Sequence, residues 1–102
     1  RPASGFAAVG VAAIVTLDAS GKCAAVRIGV TGAAAKAFRA KDTEAALIGK
    51  TPDEKTVDQA AAQSTNGIDA NGDIFASAEY RTHLVQVYTK RALAKAVERA
   101  RA

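Results

Sequence analysis

The feature that most constrains this chain is a change of hydrophobic period near residue 40. Up to residue 31 apolar side chains recur at every second position, and from residue 41 they recur at three- and four-residue intervals. In "FAAVGVAAIVTLD", Val9, Val11, Ala13, Val15 and Leu17 share one face, and Ala8, Gly10, Ala12, Ile14 and Thr16 share the other. "CAAVRIGVTG" repeats the pattern, with Ala24, Val26, Ile28 and Val30 on the larger-residue face. Between the two lies "DASGK" (18–22), a turn in which Gly21 supplies a positive φ. Residues 6–17 and 23–31 therefore read as an antiparallel hairpin. A short third strand is expected over Lys36–Arg39, after a turn at Gly32.

The later period is helical. Asp42 is expected to cap a short helix that ends at Ile48, with Gly49 just beyond it. "TPDE" (51–54) places Thr51 at an N-cap, Pro52 at the first helical position and Glu54 at the third, opening a helix that reaches about Ser64. The last helix starts after Ser77, and Leu84, Val85, Tyr88, Ala92, Leu93, Ala96, Val97 and Ala100 line its buried face. Strands followed by helices predict an α+β fold: a three- to four-stranded antiparallel sheet with three helices packed on one face. At 102 residues the chain is a single domain over 1–102 with a small core. It begins at Arg1 without an initiator methionine, as expected of the C-terminal part of a longer subunit or of a processed chain.

The two sheet faces differ. One is rich in Val, Leu and Ile and suits a layer of helices. The other carries Ala, Gly, Thr, Ile14 and Arg27. Such a face is either solvated or open to close approach by another surface. Charge is also unevenly placed. Residues 1–40 hold five cations against Asp18, residues 41–73 three lysines against seven acids, and residues 74–102 six cations against Glu79 and Glu98. These segments carry +4, −4 and +4, and the whole chain +4. A basic last helix is compatible with nucleic acid, but no stacking aromatics interleave with its cations and no nucleic-acid-binding motif is present. Cations near a helix C-terminus are also favoured by the helix dipole, so the expected partners include no nucleic acid.

No catalytic constellation emerges. Asp69, Asn71 and Asp73 alternate like the first half of a calcium loop, but counting from Asp69 puts Ile74 where glycine is required and Tyr80 where the bidentate glutamate belongs. "DANGD" therefore reads as a turn leading into the last helix. His83 is the only histidine and Cys23 the only cysteine, too few for a zinc or nucleophile site. A single cysteine excludes an internal disulfide and favours a reducing, cytoplasmic setting. "GVTGAAAK" lacks the GK[ST] of a phosphate loop. No apolar run is long enough to span a membrane. The groups left to consider are Tyr80 and Arg81 at the start of the last helix, residue types common at interfaces. They either face a neighbour or pack locally, with Arg81 paired to Glu79 or Asp73. With Arg27 they are the interface candidates.

Taken in order, "VGVAAIVTLD", "AALIGK" and "ASAEYRTHLVQVYTKRAL" resemble the C-terminal domain of the flavoprotein (medium) subunit of molybdenum hydroxylases, the family of carbon monoxide dehydrogenase. The resemblance covers nearly the whole chain. It implies a domain with no catalytic, cofactor or metal residues of its own, completing a subunit whose earlier domains bind FAD. It also implies partner subunits that carry a molybdenum cofactor and 2Fe-2S iron–sulfur clusters, with electrons leaving through FAD to an acceptor. Two stretches depart from the family: Gly32-Ala33-Ala34-Ala35-Lys36 lacks its usual proline, and residues 65–73 form a longer, more polar link. A free-standing α+β domain that binds a partner or itself is the alternative.

Overall fold

The hairpin forms as its alternation requires. The structure, a computed structural model, describes residues 9–34, 36–66 and 78–102. Strands β1 (Gly10–Leu17) and β2 (Cys23–Thr31) pair antiparallel, with Gly10 opposite Thr31 and Ile14 opposite Arg27. Val9 and Val15 are buried, whereas Ala12, Ile14 and Thr16 are exposed. The turn between the strands is closed by Asp18, whose Oδ1 accepts from the Ser20 amide at 2.9 Å, the Ser20 hydroxyl at 2.7 Å and the Lys22 amide at 3.0 Å. Gly21 adopts a φ of 83°, which the turn demands and a side chain would resist.

One part of the expected pattern is corrected. Ala24 is exposed and Cys23 is buried, the reverse of a simple alternation. The register slips between Thr16, opposite Ala25, and Leu17, opposite Cys23. That β-bulge inserts Ala24 as an extra residue and inverts the phase beyond it.

Strand β3 (Phe38–Arg39) is shorter than expected and pairs antiparallel with β2 through Val30 and Gly29. Beyond β3, other groups pair with Ile28 and Cys23 along β2's outer edge. The Ala40 amide donates to the Ile28 carbonyl at 3.0 Å, the Gly49 amide donates to the Cys23 carbonyl at 2.8 Å, and the Cys23 amide donates to the Lys50 carbonyl at 2.9 Å. Buried backbone groups must find partners of some kind, and here a loop and a helix end supply them where the strand stops.

Helix α1 (Lys41–Leu47) begins two residues earlier than expected. Its N-cap is Ala40, with no side-chain cap, and Asp42 lies inside the first turn. Gly49, with φ 78°, follows the C-cap Ile48 as expected. Helix α2 (Glu54–Ala61) is capped by Asp53, not Thr51. The Asp53 Oδ1 accepts from the Thr56 amide at 2.8 Å. Pro52 therefore precedes the helix and is buried. The helix also stops short of Ser64, whose hydroxyl donates to the Ala61 carbonyl at 2.6 Å. Helix α3 (Ala78–Arg101) follows. Ser77, the segment 69–73 and residues 6–8 lie outside the described residues.

The α+β expectation holds: three antiparallel strands in the order β1-β2-β3 with three helices against them. Helix α1 packs on β2, α3 packs on β1, and α2 bridges α1 and α3. The core between the layers centres on Ile28, Val30, Leu47, Val85 and Leu93, each 0% exposed. The expected stripe of α3 supplies much of it, joined by Thr89 and Arg81, which are also buried.

Candidate interface face

With helices on one face, the other face of the sheet remains open. It presents Ile14 beside Arg27, and Ala12 beside Gly29 and Arg39, on neighbouring strands. Ile14 is 69% exposed, the most exposed large apolar side chain among the described residues. Gly29 is surrounded by open space at its would-be Cβ and has no positive φ. Among the described residues nothing calls for glycine there. At the end of this face a shallow apolar groove runs over Gly10, Ala12, Gly29 and Thr31, with Arg39 and Lys41 on its rim.

The rim cation Arg39 is fixed by a network the sequence reading missed. Glu44, on α1, is 7% exposed. Its Oε2 accepts from the Ile28 amide at 2.8 Å and from Arg39 Nε at 3.2 Å, and its Oε1 accepts from Arg39 Nη2 at 2.7 Å. The carboxylate thus takes the place of a strand partner where β3 has ended. Burial pushes its pKa up, but the Arg39 hydrogen bonds, the Ile28 amide and the charges of Arg39 and Lys41 outweigh burial and hold the carboxyl below its ordinary value. A signal was available in principle: Arg39 and Glu44 flank a strand-to-helix junction, and Glu44 falls between apolar Ala40 and Leu47 on the inner side of α1.

The three residues singled out from sequence do not converge. Arg27 is exposed on the open face, in the middle of β2. Tyr80, 50% exposed, stands in the first turn of α3. Arg81 is turned inward and only 8% exposed, with Nη1 donating to the Gly32 carbonyl. Of the two alternatives the sequence left open for Arg81, packing within its own domain is the one seen. Arg81 continues the face of Val85, four residues or about one turn along, and ties the start of α3 to the turn after β2.

Chemical groups elsewhere are dispersed. Cys23 is 2% exposed and burial pushes its thiol up, so the unreactive protonated form prevails. His83 lies in a shallow depression with Asp58, Gln86 and Lys90, where Lys90 pairs with Asp58 at 2.9 Å. Among the described residues no cluster of three or more metal-ligating side chains occurs. Among the same residues no helix is long and apolar enough to cross a membrane.

Comparison with known proteins places this architecture. The family described as "CO dehydrogenase flavoprotein C-terminal domain" matches residues 1–96. The alpha subunit of the 6-hydroxypseudooxynicotine dehydrogenase complex of Paenarthrobacter nicotinovorans is 38% identical over 96 residues, which are 94% of this chain and 32% of that protein. The crystal structure of quinoline 2-oxidoreductase from Pseudomonas putida 86 superposes with a TM-score of 0.80 at 32% identity, covering 88% of this chain and 31% of that one. Reconstituted CO dehydrogenase from Oligotropha carboxidovorans gives 0.78 at 31% identity, again over 88% and 31%. The chain thus spans about a third of the length of these relatives.

Proposed function

The chain belongs to the CO dehydrogenase flavoprotein C-terminal domain family, and from that premise we infer that it is a non-catalytic domain completing the flavin subunit of a molybdenum hydroxylase. The observation that carries the reading is the family match over 96 of its residues. In such a subunit, FAD held by the preceding domains passes electrons from iron–sulfur clusters, reduced at a molybdenum cofactor in a partner subunit, to an external acceptor. This chain's own contribution is structural. Its helical layer buries the core, while the open face offers Ile14, Arg27 and the small residues Ala12 and Gly29 to a sibling domain. Small side chains let that surface approach closely, and an arginine beside an exposed isoleucine is a common interface composition. Tyr80 offers a second contact, and Arg81 supports it from inside. The setting is cytoplasmic.

The test is a chimera. The C-terminal domain of the CO dehydrogenase flavoprotein is exchanged for this chain, and FAD content and assembly with the other subunits are measured. The chimera is expected to retain FAD and assemble, and Ile14→Lys in the exchanged domain to weaken assembly without changing its fold. FAD titrated against the 102-residue chain alone should keep its free fluorescence. Tight flavin binding by this chain, or a folded chimera that neither holds FAD nor assembles, refutes the reading.

A further inference from the structure

The two edges of the sheet are finished differently. β2's outer side is covered by β3, by Ala40, by Glu44 and by Gly49 and Lys50. β1 lies at the other end of the strand order and, among the described residues, pairs only with β2. The direction of its backbone groups follows from Ile28. Both polar groups of Ile28 point away from β1, since its amide meets Glu44 and its carbonyl meets Ala40. Antiparallel strands alternate, so Arg27 and Gly29 point toward β1 and pair with Ile14 and Ala12. The amides and carbonyls of Val11, Ala13 and Val15 therefore face outward. Among the described residues no backbone group meets them.

Beside this edge runs a line of cations. Arg91, Lys95 and Arg99 recur every four residues on α3, and all three are exposed. They share a groove with Val11, Ala12 and Ala13 of β1 and with Tyr88 and Ala92. Arg91 lies over the Tyr88 ring at 5.7 Å from its centroid. Among the described residues the ion pairs are Arg39–Glu44 and Lys90–Asp58, and none of these three cations is paired with a carboxylate of those residues. An exposed edge strand is ordinarily protected by covering or by inward charges. Here it is left beside a positive wall.

We propose that the free edge of β1 and the Arg91–Lys95–Arg99 stripe of α3 form a docking groove for an acidic, extended segment of a protein partner, which adds to the sheet as a fourth strand. Its backbone pairs with Val11, Ala13 and Val15. Its alternate side chains on the helix side are carboxylates facing the stripe. Four residues of helix advance about 6 Å, and two residues of strand advance about 6.8 Å, so carboxylates at every second position match the repeat of the cations. The other side chains extend the open face that carries Ile14. A second copy of this chain is a poor occupant, because pairing β1 with its symmetry mate sets one basic stripe against another. Nucleic acid would use the cations but leave the outward amides and carbonyls without partners. The mode is strand addition, with main-chain bonds giving affinity and charge giving selectivity.

The experiment uses the isotopically labelled 102-residue chain and an end-blocked peptide of alternating glutamate and valine. Amide resonances of Val11, Ala13 and Val15 are expected to shift and to gain protection from solvent exchange. Affinity should fall about tenfold or more in the double variant Arg91→Glu/Lys95→Glu, and also on raising the salt from about 50 to about 500 mM. Thermal melting establishes that the variant is folded. If it is not, Lys95→Gln must show the same loss at smaller amplitude. A glutamine–valine peptide that binds equally well overturns the charge argument, and so the proposal. So does an oligothymidylate that engages the stripe when the peptide does not, or a dimer in which the β1 amides are already protected. No shift at about millimolar peptide, a weak limit for specific recognition, refutes it outright.

Discussion

Removing the Glu44 carboxylate tests how the sheet is finished where β3 stops. In Glu44→Ala the Ile28 amide loses its acceptor inside a residue that is 0% exposed. A buried donor left unsatisfied costs about 1–3 kcal/mol. The Arg39 side chain is 52% exposed, so its ion pair is discounted to about 0–1 kcal/mol. The expected loss is about 1–4 kcal/mol, read as a lower midpoint in urea denaturation with an unchanged slope. Glu44→Gln keeps an oxygen for Ile28 but turns an amide donor toward the guanidinium, so about 1–2 kcal/mol is expected. The pH dependence gives a second reading. Because the folded pKa of Glu44 is lowered, the unfolded chain binds the proton more readily. Its contribution is fully present above the unfolded pKa and is lost as pH falls through the folded one. Asp18 and Asp53 are lowered as well, chiefly by hydrogen bonds from Ser20 and from the Thr56 amide, so the acid slope should shrink in Glu44→Gln without vanishing. The reasoning fails if Glu44→Ala costs no more than an exposed helix substitution, or if Glu44→Gln keeps the wild-type acid slope.

Three further outcomes follow from the same geometry. Thr43 and Thr89 are both 0% exposed, but the Thr43 hydroxyl donates to the Ala60 carbonyl at 2.7 Å while Thr89 Oγ1 has no partner among the described residues. Valine should therefore destabilise by about 1–2 kcal/mol at 43 and be neutral or stabilising at 89, as read from urea midpoints. Asp53→Ala should lower stability by about 0.5–2 kcal/mol, whereas Thr51→Ala should leave it nearly unchanged, because the cap bond belongs to Asp53. Arg81→Ala should destabilise the chain by about 1.5–3 kcal/mol, since its charged hydrogen bond to Gly32 is largely buried; a loss near zero would restore the outward-facing reading of that side chain.

Much of the fold can be read from local sequence because period and burial are the same fact seen twice. Val9, Val15, Val26, Ile28 and Val30 had to face one layer, and Val85, Leu93, Ala96 and Val97 had to face it from a helix. The positive-φ turns at Gly21 and Gly49 were equally visible, because few other residues reach that conformation. The family, too, was legible in the order of "VGVAAIVTLD", "AALIGK" and "ASAEYRTHLVQVYTKRAL". Choices decided between competing groups were not visible. Thr51 and Asp53 are both good caps, and the path of the chain around the buried Pro52 selected the second. The bulge that buries Cys23 in place of Ala24 depends on how the pairing closes toward a turn held by Asp18. Glu44 drew no reading, and Arg81 was left between an interface and a local pair, because an isolated segment gives a charged side chain no reason to turn inward. Only the assembled layers supplied one: an Ile28 amide without a strand partner, and a Gly32 carbonyl beside the start of α3. Tertiary structure decided these positions because a buried backbone donor or acceptor needs a partner, and the charge-assisted hydrogen bonds formed there offset the cost of taking the side chain out of water.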